Sequence, residues 1–385
     1  MLEKNNELFA GLIIGTTKTV MIAAEKESGC QDSLHLVGFG SVPSRGIADG
    51  VIVSVTDAAH SIRRAFKELT DITGIPPERL RNVIAAFNAS DVVNESVSVT
   101  LEFTEPQIIT QDTLREAADQ ARKSLKGDGT MFPVHMFPEK YELDGVETDN
   151  PLGKNVTHFE VRLNAVMIPV FCAANVVNSV RSAGLKVKGL VLKTLASSLG
   201  AVSEEEKNAG CVSVNIGGSV TGTVIYKNGR VSRIYSISRG GIYITQYIAF
   251  VLHVSLKEAR VLQHMIFSPD TTEEVLRAEG VDADLLGRTI VEALEENFIL
   301  VRENLTDTKS CKNIVLSGGV SLMHGIDKML EKFMHVPVRR VEKPLLSMPA
   351  GLGTAEFVSE AGIVKYFAEE QGNPFWLHIE ENLAE

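Results

Sequence analysis

The chain has 385 residues, enough for two lobes that each bury a core. It is 44% hydrophobic and 23% charged, the balance of a soluble globular protein, and its formal net charge of −11 argues against a partner made of nucleic acid. Cys30, Cys172, Cys211 and Cys311 lie far apart without a C-x-x-C pair, and the nine histidines form no metal spacing, so reduced structural thiols and no metal site are expected. The apolar stretch before Gly15 is too short for a signal peptide, and no segment approaches the ~20 apolar residues that cross a bilayer, which predicts a cytoplasmic protein.

In chain order, Leu8 to Ile14 reads as a buried strand, Gly15-Thr-Thr-Lys-Thr19 as a turn, and Val20 to Ala24 and His35 to Ser41 as two further strands. Between Asp57 and Thr73, Ile62, Phe66, Leu69 and Ile72 recur at helical spacing, and Gly74-Ile-Pro-Pro77 stops the run before a strand from Asn82 to Phe87. Residues 88–170 differ in character: strands near Glu95 to Phe103, Pro138 to Leu143 and His158 to Ile168, and a helix from Gln111 to Leu125 capped by Thr110. In the last strand Phe159, Val161, Leu163, Ala165 and Met167 alternate with His158, Glu160, Arg162 and Asn164, which predicts an inserted α+β sheet with one wet side.

The opening plan then recurs. Cys211 to Ile216 is a strand, Gly217-Gly-Ser219 a turn, Thr221 to Tyr226 a second strand, and Asn228-Gly229 a type I′ turn into Val231 to Ile237. This repetition indicates two duplicated α/β lobes. A helix from Ala283 to Asn304 buries Leu286, Ile290, Ala293, Leu294, Phe298 and Val301 and leaves its charged face to solvent. Asn313 to Leu316 is a strand, Ser317-Gly-Gly-Val320 a tight turn, and a helix is expected from Ser321.

Glycine-rich turns between strands expose backbone N–H groups that cradle phosphates, and three in this order outline a nucleotide cleft. Gly11-Leu-Ile-Ile-Gly-Thr-Thr-Lys18 and Val214-Asn-Ile-Gly-Gly-Ser219 resemble the two phosphate loops of the actin, Hsp70 and sugar-kinase superfamily, and Ile314-Val-Leu-Ser-Gly-Gly-Val320 its adenosine motif. Within it the chain is similar to the FtsA family of bacterial actin-like division proteins. The likeness is carried by Gly40-Ser-Val-Pro-Ser-Arg-Gly-Ile47, Tyr141-Glu-Leu-Asp144, Asn150-Pro-Leu-Gly153, Gly184-Leu-Lys-Val187, Leu195-Ala-Ser-Ser198, Gly240 to Ala249 and Gly351-Leu-Gly-Thr354. The resemblance implies a first lobe at 8–87, continued at about 171–200 and 355–370, with an inserted SHS2-type subdomain at 88–170. The second lobe falls at 201–240 and 305–354, its subdomain at 241–304 and a tail at 371–385.

The resemblance also implies acidic side chains that hold a hydrated magnesium ion at positions occupied here by Ile13, Asn215 and Gly222. Asn215 accepts a hydrogen bond but supplies no charge, and Ile13 does neither. The family's nucleoside-binding Glu and Lys are Arg260 and Gln263 here, and an Asp before a helix from Ile248 is Tyr247. What remains is Gly15, Thr16, Thr17, Lys18, Gly217, Gly218, Ser219, Gly318 and Gly319, a degenerate site expected to bind ATP weakly without strong magnesium dependence, or no cofactor.

As a family member the chain would be a scaffold without turnover that polymerises, binds the tail of the tubulin-like ring protein FtsZ and lies at the inner face of the membrane. The tail Phe375-Trp-Leu-His-Ile-Glu-Glu-Asn-Leu-Ala-Glu385 puts Phe375, Trp376, Ile379 and Leu383 on one helical face, yet Glu380, Glu381 and Glu385 stand opposite without Lys or Arg. An anchor for anionic lipid is basic, so docking onto a partner or back onto the lobe is expected instead. Two alternatives are an active actin-like ATPase, which needs compensating carboxylates such as Asp49 or Asp57, and a scaffold of pilus assembly similar to PilM.

Overall fold

The computed structural model describes residues 7–26, 34–125, 129–267, 276, 280–305, 311–346, 354–370 and 373–376. The chain opens with β1 (Glu7–Ile14), β2 (Lys18–Lys26) and β3 (Leu34–Pro43), a short hairpin of β4 (Ile47–Ala48) and β5 (Val51–Ile52), α1 (Val55–Thr73) and β6 (Asn82–Phe87). The Ser54 hydroxyl accepts from the Asp57 N–H at the start of α1, and Gly74, at φ 65°, ends it by donating to the Thr70 carbonyl. Ala58, Ile62, Ala65 and Leu69 form its buried face, each large apolar side chain contributing about 2 kcal/mol.

The insertion comprises β7 (Val93–Ile108), α2 (Gln111–Ser124), β8 (Met131–Leu143), β9 (Val146–Thr148) and β10 (Asn155–Pro169). Thr110 and Thr113 close a reciprocal capping box at the start of α2. The chain continues through α3 (Val170–Ser182), β11 (Lys186–Leu192), α4 (Lys193–Ala201), α5 (Glu204–Ala209), β12 (Cys211–Ile216), β13 (Thr221–Lys227) and β14 (Arg230–Ile237). It ends with α6 (Gly241–Leu252), α7 (Leu256–Phe267), α8 (Ala283–Glu303), β15 (Asn313–Ser317), α9 (Ile326–Met334), β16 (Val338–Arg340) and α10 (Val358–Glu370).

Two sheets have the same plan. In the first lobe the order is β11-β6-β1-β2-β3 and in the second β14-β13-β12-β15-β16, so a three-stranded antiparallel meander extends into two parallel strands each time. The match reaches single residues: Ile13 pairs with Val20 and Ile14 with Thr19, as Asn215 pairs with Gly222 and Ile216 with Thr221. Each turn closes with one bond, Gly15 N–H to the Lys18 carbonyl at 3.0 Å and Gly217 N–H to the Val220 carbonyl at 2.9 Å. This is the actin-like architecture of two duplicated lobes. Asn228 and Gly229 have φ of 51° and 78°, the left-handed pair that the type I′ turn requires.

The lobes are joined where α4 crosses α10. A Cβ on Gly200 would lie 3.0 Å from the Gly362 nitrogen, and one on Gly362 would overlap the Ala196 carbonyl, so the two helices touch backbone to backbone. Only glycine allows that approach.

The inserted sheet, β7-β10-β8-β9, carries the expected apolar face, but its other face is not simply wet. Asn164 is fully buried there and donates to the Ser232 carbonyl of β14 at 2.9 Å, while Asn94 donates to the Ile234 carbonyl at 2.8 Å. Arg233 meets Glu139 at 2.5 Å and Arg230 meets Asp149 at 3.2 Å. Thus the insertion leans on the edge strand of the second lobe through Asn164, Asn94, Glu139 and Asp149, while Arg162 on the same face of β10 stays exposed.

Three other expectations are corrected. The helix placed from Ser321 begins at Ile326; residues Gly319–Leu322 form a 3-10 turn, and Gly325, at φ 79°, redirects the chain before α9. Tyr247 lies within α6 rather than before a helix, because α6 already starts at Gly241. The charged face of α8 is partly engaged: Glu296 pairs with Arg239 at 2.7 Å and with the Tyr243 hydroxyl, and Glu292 accepts from Tyr247 at 3.2 Å.

Candidate functional site

The three glycine turns come together at the cleft between the lobes. The first is braced by Ser44, from the Pro-Ser-Arg-Gly stretch: its hydroxyl donates to the Gly15 carbonyl at 2.7 Å and its N–H to the Thr17 carbonyl at 3.1 Å. The second is braced by the start of α6, where the N–H groups of Gly241 and Ile242 donate to the Gly217 and Gly218 carbonyls at 2.9 and 2.7 Å. The third turns at Gly318, whose φ of 94° and closeness to the Ile216 backbone admit no side chain.

With their carbonyls so occupied, these turns present the other side of the peptide. No backbone carbonyl among the described residues accepts from the N–H groups of Thr16, Thr17, Gly218 and Ser219. The two phosphate-type turns also face each other closely, since a Cβ on Gly218 would lie 3.2 Å from Thr17 Cγ2. The Ser219 hydroxyl is buried without a hydrogen-bond partner. Unpaired donors converging in this way suit an anion.

The three positions lacking carboxylates differ in what has replaced them. Ile13 is buried in the first-lobe core. The Asn215 amide donates to the Ser317 hydroxyl at 3.0 Å, tying β12 to β15. At Gly222 the space is taken: a Cβ there would strike Thr194 Oγ1 and lie 2.5 Å from its Cγ2, so α4 fills the room an acidic side chain would need. Of the two carboxylates that could compensate, Asp57 accepts from the Ser54 hydroxyl at 2.8 Å, and Asp49 is exposed beside Gly50, which packs on Val220. This donor set does not fit a hydrated magnesium ion, which needs charged oxygen ligands.

Lys18 is neither a free loop lysine nor a lone phosphate ligand. Its ammonium lies 3.7 Å from the buried Glu360 carboxylate of α10 and 4.8 Å over the Phe357 ring. A second ammonium, Lys193 at the start of α4, reaches the first turn, 3.5 Å from where a Cβ on Gly15 would stand. Burial raises the Glu360 pKa, opposed by the charges of Lys18 and Lys193. Burial lowers the Lys193 pKa, opposed by Glu360, with Lys18 lowering it further. Lys193, Thr194 and Glu360 escaped the sequence reading because they sit on helices outside the glycine turns; a lysine directly after the apolar strand Gly189 to Leu192 was the one available signal.

At the nucleoside end, Arg260 is exposed on α7. Gln263 is buried instead, donating to the Gly241 carbonyl at 3.1 Å and accepting from Thr245, so its amide is spent on bracing α6. Gly319 faces open space, with no heavy atom within 4 Å of a Cβ built on it.

Phe375 and Trp376 do not share a helical face. They occupy a turn, Phe375 completing the core of the insertion and Trp376 that of the first lobe, while Arg122 donates to the Trp376 carbonyl at 2.9 Å. Ile379, Leu383 and the three glutamates of the tail lie outside the described residues, as do Cys30 and Gly351 to Gly353. Cys172, Cys211 and Cys311 are free thiols.

A family model described as cell division protein FtsA matches residues 212–362. The chain is 27% identical to cell division protein FtsA of Bacillus subtilis (strain 168), covering 94% of this chain and 84% of the relative. For the Pseudomonas aeruginosa protein of the same description the identity is 26%, over 87% and 83%. Among solved structures, the PilM-PilN type IV pilus biogenesis complex superposes with a TM-score of 0.63 at 19% identity, covering 95% of this chain and 98% of that one. MreB 5 of Spiroplasma citri bound to AMPPNP superposes with a TM-score of 0.55 at 14% identity, covering 95% and 98%. The repeated five-stranded sheets agree with the solved structures, and the chain has the actin-like fold and is similar over most of its length to cell division protein FtsA.

Proposed function

We propose that the protein is a cell-division scaffold of the FtsA kind that self-associates and links an FtsZ-type tail to the division site, with ATP hydrolysis lost. The observation that carries the loss is Gly222: Thr194 fills the space where a metal-holding carboxylate would stand, and neither Ile13 nor Asn215 supplies the missing charge. Nucleotide therefore serves, where it binds at all, as a ligand rather than a substrate. Phe375 and Trp376 are buried in the protein and so are not available to lipid. No helix among the described residues is long and apolar enough to cross a membrane.

Two measurements test this reading. Magnesium-dependent phosphate release from ATP should not exceed a no-protein control, and release well above it overturns the loss of hydrolysis. The C-terminal tail of FtsZ, immobilised, should retain the full-length protein; if it does not, a scaffold of another assembly such as the PilM kind takes precedence.

A further inference from the structure

The cleft has lost the groups that hold a metal and has gained a fixed cation. Lys193 lies at the mouth of the first turn with no hydrogen bond or ion pair to a described residue, its charge shared through space with Glu360 and Lys18. That turn faces the second one across Thr17 and Gly218, and the N–H groups of Thr16, Thr17, Gly218 and Ser219 and the buried Ser219 hydroxyl have no partner among the described residues. The only carboxylate among the described residues that meets Lys18 is Glu360, whose Oε2 has no partner although the residue is 1% exposed. Two ammonium groups against one half-satisfied carboxylate leave the site positive and short of acceptors.

We propose that Lys193 takes the place of the divalent metal, so that the cleft binds a polyphosphate without magnesium, and that Glu360 is the internal counterion such a ligand displaces from Lys18. The inference rests on the reading that metal-dependent hydrolysis is lost. A polyphosphate carries the acceptor oxygens that both lysines, Ser219 and the turn N–H groups lack, and a charge-assisted bond to ammonium is stronger than a neutral one. An added magnesium ion would compete for the same oxygens while finding no carboxylate to hold it. Glu360 explains how the protein tolerates both lysines when empty: an ion pair in a poorly solvated cleft offsets part of their repulsion. Because Arg260 is exposed and Gln263 already engaged, the phosphates, rather than the nucleoside, supply the recognition.

The test is calorimetric titration of the full-length protein with pyrophosphate and separately with ATP, each in EDTA and in excess magnesium. Pyrophosphate should bind in EDTA, and magnesium should weaken it. Lys193→Met should lose at least tenfold in affinity, whereas Glu360→Gln, which removes the internal competitor, should gain severalfold; these opposite signs cannot both come from a general loss of folding. Equal affinity for pyrophosphate and ATP identifies a phosphate site, and tighter ATP adds a nucleoside contact to it. Unchanged affinity in Lys193→Met, or absence of binding at millimolar ligand, overturns the inference and leaves the scaffold reading standing. Binding that requires magnesium overturns it too and reopens the question of hydrolysis.

Discussion

His135 shows what a single buried group does to this protein's response to acid. It sits on β8 under Tyr366, at ring centroids 5.9 Å apart, and its Nε2 accepts from the Leu192 N–H at 3.1 Å, joining the insertion to the first-lobe sheet. Burial takes its pKa from 6.5 down to about 3, so the folded protein keeps it neutral while the unfolded chain protonates it. The unfolded state binds the extra proton below pH 6.5, and stability is therefore lost as pH falls from 6.5 toward about 3. At pH 5 the loss amounts to about 2 kcal/mol. His135→Gln retains an acceptor without the titration, so its urea-unfolding stability should fall less than the wild type's between pH 7 and 5 by that amount; parallel profiles would refute the assignment.

Among elements, the strands and turns were largely legible from sequence and the helical contacts were not. Alternation and turn residues are local, which is why β1, β2, β12, β13 and the Asn228-Gly229 turn lie where periodicity put them. The identity of what fills a space is not local. Gly222 reads as a lost carboxylate in the sequence, but Thr194, which occupies its place, comes from a helix whose approach depends on the glycine-lined crossing of α4 and α10. For the same reason the pairing of Lys18 with Glu360 was invisible: the residues meet only when α10 returns to the first lobe. That crossing tolerates no side chain, and Gly362→Ala should destabilise the protein by about 3 kcal/mol or more, because its Cβ would overlap backbone rather than a movable side chain. Denaturant unfolding checks this, and a change under ~0.5 kcal/mol, ordinary for a tolerant surface site, would mean that the helices can separate.

At the scale of the molecule, the insertion is a bridge. It grows from the first lobe between β6 and α3, yet Asn94, Glu139, Asp149 and Asn164 all reach β14 of the second. The alternating pattern of β10 disclosed two faces but not that one of them meets protein, since Asn and Arg suit water and a polar interface equally. Asn164 is the residue to change. Asn164→Ala should leave the Ser232 carbonyl without its donor and cost about 1–3 kcal/mol. It should also speed amide exchange along β14, which would remain unchanged if the contact did nothing to hold that strand.

The placement of the last described residues bears on how the protein comes into being. Val358, Ile363, Val364, Tyr366, Phe367 and Trp376 belong to the same core as Phe9, Leu12 and Ile22. Domains of a nascent chain ordinarily fold in order as they leave the ribosome. Here the lobe that is translated first is the one that finishes last: α1 and α3 join its core early, but α10 and Trp376 complete that core only after the second lobe has been made. The second lobe, closed by α6, α8 and α9, can be complete before then. During synthesis the amino-terminal lobe thus keeps one part of its core open until α10 has emerged to close it.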